Sequence, residues 1–498
     1  MKNLFKILIL SAVLSITFSS CELDRYPYDS IEQSLSFQTI KDAQAYGNGL
    51  YSGFRGKQYG IFIYSTDIQS DLLNATLDFG NRNGSLYRWT VFLADDYTIR
   101  DTWNPYYNGI ANTNNFINNV DKIVTTTDAD KASIEIIKGE AYFFRAFYYY
   151  SLVIRWAKDY EKSSAASDLG VPIVLDFDVT LKPARATVQA VYDQILSDIS
   201  QAKTRLSSVA GAKAATKITK DAVSAFEARV YLTMDNYTKA AEVTNQLISA
   251  GTYPLASTAV DLKKEWVDDS GSETILQLFA DKPSELPNTN AVYLGYNPTS
   301  KKYTPDFIPQ KWVLDLFADT DLRKAVYFEK KPVYIQGKDY TDIICVNKYP
   351  GNPALFTTAS TNYAHKPKVF RMAEIYLINA EASAQISGSE STALASLNKL
   401  RTARGLTALV GLTGTALLDA VKEERTRELM FEGFRLDDLK RWKSGFARKT
   451  PQNMELIITG VDYEQKTVTA GDDKFVWGIP TNDMTTNPSL KDQQNAGW

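Results

Sequence analysis

Two glutamates near the C-terminus are the residues in this sequence most suited to acid–base chemistry. The segment Leu417 to Trp442 reads LLDAVKEERTRELMFEGFRLDDLKRW, and at helical spacing Arg425, Glu428 and Glu432 fall on the same face as apolar residues. Paired carboxylates serve as acid and nucleophile in glycoside hydrolases. A structural ion network is the alternative, because a charge within an apolar stripe is costly unless it is paired.

We favour the structural interpretation of these charges. Ion pairs inside helical stacks are common, and a perturbed carboxylate need not be catalytic. The network would recruit an arginine from elsewhere, for which Arg371 and Arg435 are the candidates. We expect Glu423, Thr426 and Arg427 to form the opposite, solvated face of the helix.

Histidine and cysteine chemistry is restricted because both residues are scarce. His365 is the only histidine and lies in TNYAHKPKV, which predicts a polar loop; Cys21 and Cys345 are the only cysteines. One histidine and one available cysteine cannot build a zinc site, and the sequence has no GxGxxG, GxxxxGK[ST] or HExxH. Asp319 and Asp321 lack calcium-loop spacing and predict a solvated turn. We therefore expect neither a metal nor a cofactor.

Residues 1–20 have the pattern of an export signal. Lys2 and Lys6 precede or interrupt the start of an apolar run, ILILSAVLSITF, and two serines separate that run from Cys21. The run is too short for a membrane anchor, since a spanning helix needs about 20 apolar residues. Small residues before a cysteine resemble the lipobox of bacterial lipoproteins, which makes Cys21 the predicted lipidation site. The alternative is an ordinary signal peptide with an incidental cysteine.

The composition is typical of a globular protein. Hydrophobic residues make up 44% of the chain and charged residues 23%, both ordinary values. The net charge is −3, and removal of residues 1–20 with their two lysines lowers it to −5. Nucleic acids and anionic membrane surfaces bind basic patches, so we expect neither as a partner.

Most of the chain has helical periodicity. Ile134 to Trp156 is apolar on every side, which predicts a buried central helix. Val188 to Leu206 predicts an amphipathic helix. Lys220 to Thr233 and Tyr237 to Ala250 have the alternation of small and large residues found in tetratricopeptide-like helix pairs.

A second helix pair of this kind begins at Arg371 and continues from Ser391. The copies are scattered rather than tandem, which argues against a simple solenoid. Tyr46 to Tyr107 and Tyr253 to Pro367 are punctuated by Gly, Asn and Pro and predict loop-rich insertions, the second with short strands. Loops on a rigid scaffold are where binding residues concentrate.

Six stretches in order along the chain resemble the SusD/RagB family, the surface glycan-binding lipoproteins of Bacteroidota. Each is weak alone, but together they span almost the whole mature chain. They are CELDRYP at 21–27, DTWNPYYNGIANTNNFI at 101–117, GEAYFFRAFYYYSLV at 139–153, FRMAEIYLINAEA at 370–382, ERTRELMFEGFRLDDLKRW at 424–442 and WGIPTNDMTTNPSLKDQQNAGW at 477–498.

The resemblance implies a mainly α fold with four tetratricopeptide-like helix pairs and long loop-rich insertions that carry a few short strands. It divides the mature chain into an N-terminal part, 21–250, and a C-terminal part, 251–498. It also implies a lipid-anchored protein on the cell-surface side of the outer membrane. Its role there is to capture an oligosaccharide or related nutrient for a SusC-like TonB-dependent transporter, without catalysis.

The resemblance does not place the ligand contacts, because these vary within the family. Flat aromatic rings suit the C–H faces of sugars, polar side chains suit their hydroxyls, and the chain is 12% aromatic. For each residue chosen on this basis, packing in the core is the alternative. The predicted ligand residues are Tyr59, Tyr64, Asp67, Asn81, Arg82, Asn83, Tyr87, Trp89, Tyr293, Tyr296 and Tyr303.

Two other functions compete with glycan capture. The first is a helical glycoside hydrolase or lyase that works through carboxylates. The second is a tetratricopeptide-type scaffold that binds peptides, against which the interrupted repeat pattern stands.

Overall fold

The computed structural model describes residues 36–498 apart from 91, 179, 283–284, 286–291 and 358–362. The export signal and Cys21 therefore lie outside the described residues. About 48% of the chain is helical, in 16 α-helices within the described part, with little strand. The predicted mainly α fold is confirmed. None of the described helices is both long enough and apolar enough to cross a bilayer.

The helices are, in chain order, α1 (Ile40–Arg55), α2 (Ile61–Gln69), α3 (Gly84–Arg88), α4 (Tyr97–Asn119), α5 (Asp128–Trp156), α6 (Val188–Arg205), α7 (Lys220–Thr233), α8 (Tyr237–Ala250), α9 (Ala259–Trp266), α10 (Lys311–Asp315), α11 (Lys324–Tyr327), α12 (Met372–Ala384), α13 (Glu390–Ala403), α14 (Gly414–Leu429), α15 (Arg435–Arg441) and α16 (Thr481–Thr486).

The strands are β1 (Leu73–Ala75), β2 (Thr274–Gln277), β3 (Tyr296–Asn297), β4 (Lys302–Tyr303), β5 (Phe307–Pro309), β6 (Phe328–Ile335), β7 (Lys338–Val346), β8 (Lys368–Arg371), β9 (Phe446–Ala447) and β10 (Thr467–Val468).

Helix α5 is the central helix, as its all-round apolar pattern predicts. Thr127 caps its N-terminus by accepting a hydrogen bond from the Asp130 backbone N–H. Phe143, Phe144 and Tyr149 are all fully buried, and α1, α4 and α6 pack around the helix. Each buried ring contributes roughly 2 kcal/mol relative to an exposed one, so this sequence is stable only at the centre of the protein.

The predicted helix pairs are also confirmed. Helix α7 packs on α8, α12 packs on α13, and α8 packs on α12, so the two pairs form one stack. The Asn379 amide joins three of these helices: it donates to Thr244 Oγ1 at 2.9 Å and accepts from Ser396 Oγ at 2.6 Å. Gly251 ends α8 in the left-handed region, with φ of 65°.

The predicted single helix from Leu417 to Trp442 is wrong, because the chain forms two helices, α14 and α15, with a turn between them. Phe431 and Gly433 have φ values of 65° and 81°, which a helix does not allow. The Lys348 ammonium donates to the carbonyls of Glu428 and Met430 at 2.9 and 3.0 Å. These are carbonyls that a helix end leaves unsatisfied, so a residue about 80 positions away stabilises the break.

The predicted loop-rich insertion from Tyr46 to Tyr107 is largely helical and contains α2, α3 and most of α1. One of its glycines serves close packing rather than a loop. A Cβ at Gly47 would lie 2.9 Å from Cγ2 of Ile137 on α5, a contact too short for any other residue. The second insertion, by contrast, holds the strands β2–β7, as predicted.

Strand pairing joins the two insertions. Strand β1 pairs antiparallel with β5, with Leu73 opposite Pro309, while β2 pairs with β8. Strands β3, β4, β6 and β7 form a four-stranded sheet in that order. The β1–β5 pair brings the segment after α2 next to the strands of the second insertion, and the candidate site lies there.

Candidate ligand-binding site

A pocket lined mainly by aromatic rings lies where the α1–α2 connection meets the second insertion and the turn after α14. Its cavity volume is about 50 Å³. Three predicted ligand residues line it: Tyr59, Tyr64 and Tyr293. We call it the aromatic pocket; its other lining residues are Gln58, Gly60, Ile63, Tyr349, His365, Pro367, Lys368, Phe431 and Glu432.

Gly60 positions two of these tyrosines. It begins α2 with φ of 63° and ψ of −141°, a conformation open essentially to glycine alone. The chain turns sharply there, with Tyr59 before the turn and Tyr64 in the first turn of the helix. Both tyrosines are half-buried, so part of each remains accessible to a ligand.

A polar rim continues from Tyr64 and consists of Arg82, Asn83, Tyr97 and Asp306. The Tyr97 hydroxyl accepts from the Asn83 backbone N–H at 2.6 Å and donates to Asn83 Oδ1 at 3.2 Å. Arg82 Nε donates to Asp306 Oδ2 at 2.7 Å. Burial raises the pKa of Tyr64 to about 12, with nearby Tyr97 and Asp306 adding to the shift and the Asn83 side chain opposing it. The Tyr64 hydroxyl is therefore protonated at neutral pH and can donate.

Two buried polar groups of the aromatic pocket have no hydrogen-bond partner among the described residues. They are the Tyr293 hydroxyl and the Gln58 Nε2 group, on side chains of residues that are only 3% and 9% exposed. A buried group left unpaired costs about 1–3 kcal/mol, so such groups in a native protein usually find water or a ligand. Both observations indicate that the pocket is completed by something polar.

His365 forms one wall of the pocket by stacking on Tyr349, with ring centroids 5.1 Å apart and 26° between planes. Its backbone is irregular, as predicted, but the residue is buried rather than solvated. Burial, together with the nearby charge of Lys368, lowers the pKa of His365 to about 4. The imidazole is therefore neutral at pH 7 and acts as a flat ring.

The ion network lies directly behind the pocket. Glu432 accepts from Lys348 Nζ at 2.7 Å and from Arg371 Nε at 3.0 Å. Glu428 accepts from Arg371 Nη1 and Arg404 Nε at 2.9 and 3.0 Å. Burial opposes ionisation of Glu428, but the guanidinium groups of Arg404 and Arg371 hold its pKa well below the usual range. A carboxylate held in this way is a poor general acid.

The third residue predicted for the network pairs elsewhere. Arg425 Nε donates to Asp438 Oδ2 at 2.7 Å, and Arg435 Nε donates to Asp71 Oδ1 at 2.8 Å. Of the two candidate partner arginines, therefore, Arg371 reaches Glu428 and Glu432, whereas Arg435 makes a separate pair.

Two solvated surfaces expected from the sequence are buried instead. Arg427 is 5% exposed because its Nε donates to the Leu316 carbonyl at 2.9 Å, so a distant loop covers that face of α14. Asp321 is 3% exposed and pairs with Arg323 at 2.7 Å, while Asp319 is exposed. Both surfaces carry charges that pair internally, which sequence periodicity does not reveal.

Two of the predicted ligand aromatics lie in the core. Tyr87 is fully buried, with the Arg448 guanidinium 3.6 Å from its ring centroid. Trp89 is 7% exposed and donates from Nε1 to the Gln69 carbonyl at 2.6 Å. Tyr296 and Tyr303 pack on each other at 5.0 Å in the β3–β4 pair, outside the residues that line the pocket.

The polar predictions divide in a similar way. Arg82 and Asn83 are in the rim, and Asn81 is exposed beside it, where it accepts from Arg88. Asp67 is fully buried and does not line the pocket; its Oδ2 accepts from the Gly433 backbone N–H at 3.0 Å. Burial raises the pKa of Asp67 to about 8.

Sequence reasoning missed five residues of the site: Gln58, Tyr97, Tyr349, His365 and Phe431. Gln58 adjoins Tyr59 and Tyr97 lies within the first insertion, so their position was a usable signal. Tyr349 and Phe431 carry no such signal, because only the tertiary fold brings them to the pocket. No group of three or more metal-ligating side chains converges within the described part of the chain.

Comparison with known proteins identifies the fold and its relatives. A family model described as "Starch-binding associating with outer membrane" matches residues 23–232, and one described as "SusD family" matches residues 343–498. SusD-like protein P2 of Formosa agariphila is 26% identical over 502 residues, which cover 89% of this chain and 92% of that protein.

Solved structures agree with these sequence matches. A SusD superfamily protein from Bacteroides thetaiotaomicron has a TM-score of 0.77 at 26% identity, covering 92% of this chain and 99% of that one. A laminarin-binding SusD-like protein has a TM-score of 0.69 at 19% identity, covering 93% of this chain and 100% of that one. Because sequence and fold agree along nearly the whole length, this chain belongs to the SusD/RagB family, as its sequence resemblance predicted.

Proposed function

We propose that the protein captures an oligosaccharide at the aromatic pocket, does not cleave it, and delivers it to a SusC-like TonB-dependent transporter. The observation that carries the proposal is the set of three tyrosines, Tyr59, Tyr64 and Tyr293, gathered beside a polar rim. The starch-binding description of the matching family and the laminarin-binding relative support a glycan as the ligand class.

The site has the two kinds of surface that a sugar requires. The tyrosine rings offer apolar faces for the C–H side of a pyranose. Arg82, Asn83 and Asp306 offer donors and acceptors for hydroxyl groups around it, and the Tyr293 hydroxyl has no internal partner to give up. Small-ligand sites usually combine an apolar lining with a few such polar groups.

The carboxylates of the site favour binding over hydrolysis. Glycoside hydrolysis needs a protonated carboxyl beside the leaving oxygen. Glu432 is the one carboxylate that lines the aromatic pocket within the described residues, and Arg371 and Lys348 hold its pKa below the usual range although burial opposes this. The protonated Asp67 does not line the pocket.

The site would work at the cell surface. Cys21, at the end of the predicted export signal, would carry the lipid that anchors the protein to the outer membrane. The family description "associating with outer membrane" supports this location. The transporter is the partner that would remove the captured ligand.

A binding and cleavage assay tests the proposal. Mature protein would be titrated calorimetrically with oligosaccharides from starch and laminarin and with a mixed peptide library, and each glycan mixture would then be assayed for new reducing ends. We expect binding to at least one glycan and no new reducing ends. New reducing ends would identify a glycosidase, and binding to peptides alone would identify a peptide scaffold.

A further inference from the structure

A second cavity adjoins the aromatic pocket and shares Gln58, Ile63, Lys368 and Glu432 with it. It has a volume of about 110 Å³ and lies between α5, α7, α15 and the α1–α2 connection. Its described lining carries nine Lys and Arg side chains but five Asp and Glu side chains. We call it the charged cavity.

Seven of the nine cations have a carboxylate within 4 Å, and the exceptions are Lys57 and Arg155. Lys57 Nζ donates to the Gly53 carbonyl at 2.8 Å and lies 5.3 Å from the Tyr148 ring centroid. Arg155 Nη2 donates to the Phe62 carbonyl at 2.9 Å. Neither cation is neutralised by an ion pair within the described part of the chain.

Unpartnered donors surround the same space. Arg155 Nε, Arg425 Nη1 and Gln58 Nε2 have no hydrogen-bond acceptor among the described residues, and all three residues are at least nine-tenths buried. Asp437 is the one lining carboxylate that makes neither an ion pair nor a hydrogen bond there, and it leaves the two unpaired cations with a net positive charge. Buried cations and donors of this kind require an acceptor, preferably an anionic one.

We propose that the charged cavity receives an anionic group, a carboxylate or a sulfate, of the same oligosaccharide whose sugar ring packs in the aromatic pocket. The preferred ligand is then an acidic glycan. This inference rests on the proposed function, because it extends the ligand from the aromatic pocket across the shared residues into the neighbouring cavity.

The energetics favour a charged ligand over its neutral analogue. Burial lowers the pKa of Lys57 to about 8, since the ammonium has lost water without gaining a counterion. An oxyanion beside Lys57 and Arg155 would supply that counterion and accept from the free donors. Hydrogen bonds to charged groups are stronger than neutral ones, so the charge of the ligand should decide its affinity.

Matched pairs of oligosaccharides test the inference. One pair is an oligogalacturonate and its methyl ester, which differ only in the carboxylate charge. The other is a sulfated carrageenan oligosaccharide and its desulfated form. Laminarin oligosaccharides serve as the neutral reference, and affinities are measured by calorimetry at fixed ionic strength. We expect the charged member of at least one pair to bind about tenfold more tightly than its neutral partner, and the responding pair distinguishes carboxylate from sulfate.

Lys57→Met tests the assignment to this cavity, because methionine keeps the stem and removes the charge. We expect the variant to lose the preference for the charged member, so that both members of a pair bind alike. Lys217→Met is the matched control: Lys217 also lies over a tyrosine ring, at 3.8 Å from the centroid of Tyr51, but outside the charged cavity. Circular dichroism and melting curves establish that both variants are folded.

Each result decides between the two proposals. Equal affinity for charged and neutral members, or binding to laminarin alone, would overturn the acidic-glycan inference and leave glycan capture intact. A preference for the charged member that survives in Lys57→Met would place the anion elsewhere and also overturn the inference. Binding to no glycan at all would refute the proposed function itself.

Discussion

Arg371, at the end of β8, donates from Nε to Oε2 of Glu432, in the turn between α14 and α15, over 3.0 Å. The two residues are 61 positions apart in the chain. Glu432 lines both the aromatic pocket and the charged cavity, so this ion pair holds the wall that the two spaces share. The buried network is thus the support on which the ligand site is built.

The pocket tyrosines should contribute directly to glycan affinity. Tyr59→Ala removes a half-buried ring that faces the aromatic pocket, and we expect a loss of about 1.5 kcal/mol, or roughly tenfold in Kd. Calorimetric titration with the tightest-binding oligosaccharide measures the change. Tyr303→Ala is the matched control, because Tyr303 packs on Tyr296 away from the pocket. A larger loss in Tyr303→Ala than in Tyr59→Ala would move the site to the β3–β4 pair.

Glu428 should stabilise the fold. Glu428→Gln leaves the guanidinium groups of Arg323, Arg371 and Arg404 with one buried carboxylate fewer. Breaking a buried network typically costs about 3–5 kcal/mol, so we expect a large decrease in the urea midpoint. Glu423→Gln, at a side chain that is 57% exposed, is the control and should change stability little.

The same pair of variants also tests catalysis by Glu428. A hydrolytic activity lost in Glu428→Gln with an unchanged urea midpoint would identify Glu428 as a catalytic acid or nucleophile rather than a structural residue.

Asp67 should make stability depend on pH. Burial raises its pKa to about 8, whereas an unfolded chain ionises Asp near pH 4. Between these values the folded protein keeps a proton that the unfolded chain releases, so raising the pH favours unfolding. We expect the free energy of unfolding to fall between pH 5 and 8, by up to about 1.4 kcal/mol per pH unit.

Asp67→Asn cannot ionise and should remove this part of the pH dependence. Urea denaturation at pH 5, 6, 7 and 8 measures the difference between variant and wild type, in which other titrating groups such as His365 cancel. Asp95→Asn, at an exposed aspartate, is the control. Equal slopes in Asp67→Asn and wild type would mean that Asp67 is ionised in the folded protein.

The lipid anchor can be separated from ligand binding. Cys21→Ala removes the predicted lipidation site, and we expect the protein to leave the membrane fraction while its glycan affinity stays unchanged. Cell fractionation followed by calorimetry on the released protein measures both. A variant that stays in the membrane fraction would show that another segment anchors the chain.

The helical scaffold could be predicted closely from the sequence because its signals are local. The bounds of α7 and α8 follow from apolar spacing, from capping by Thr219 and Asn236, and from Gly251 at the end. The all-round apolar pattern of α5 indicates its central position in the same way. Such features depend on residues within one or two turns of each other, so sequence periodicity contains them.

The binding site could be predicted only in part because its residues come from distant segments. Tyr59 and Tyr87 look alike in the sequence, yet the first lines the pocket and the second is covered by Arg448, 361 residues away. The break after α14 likewise depends on Lys348, which reaches its carbonyls from β7's far end of the chain. Local patterns thus determine which residues form helices, whereas long-range contacts between side chains and free backbone groups decide which aromatic rings remain open to a ligand.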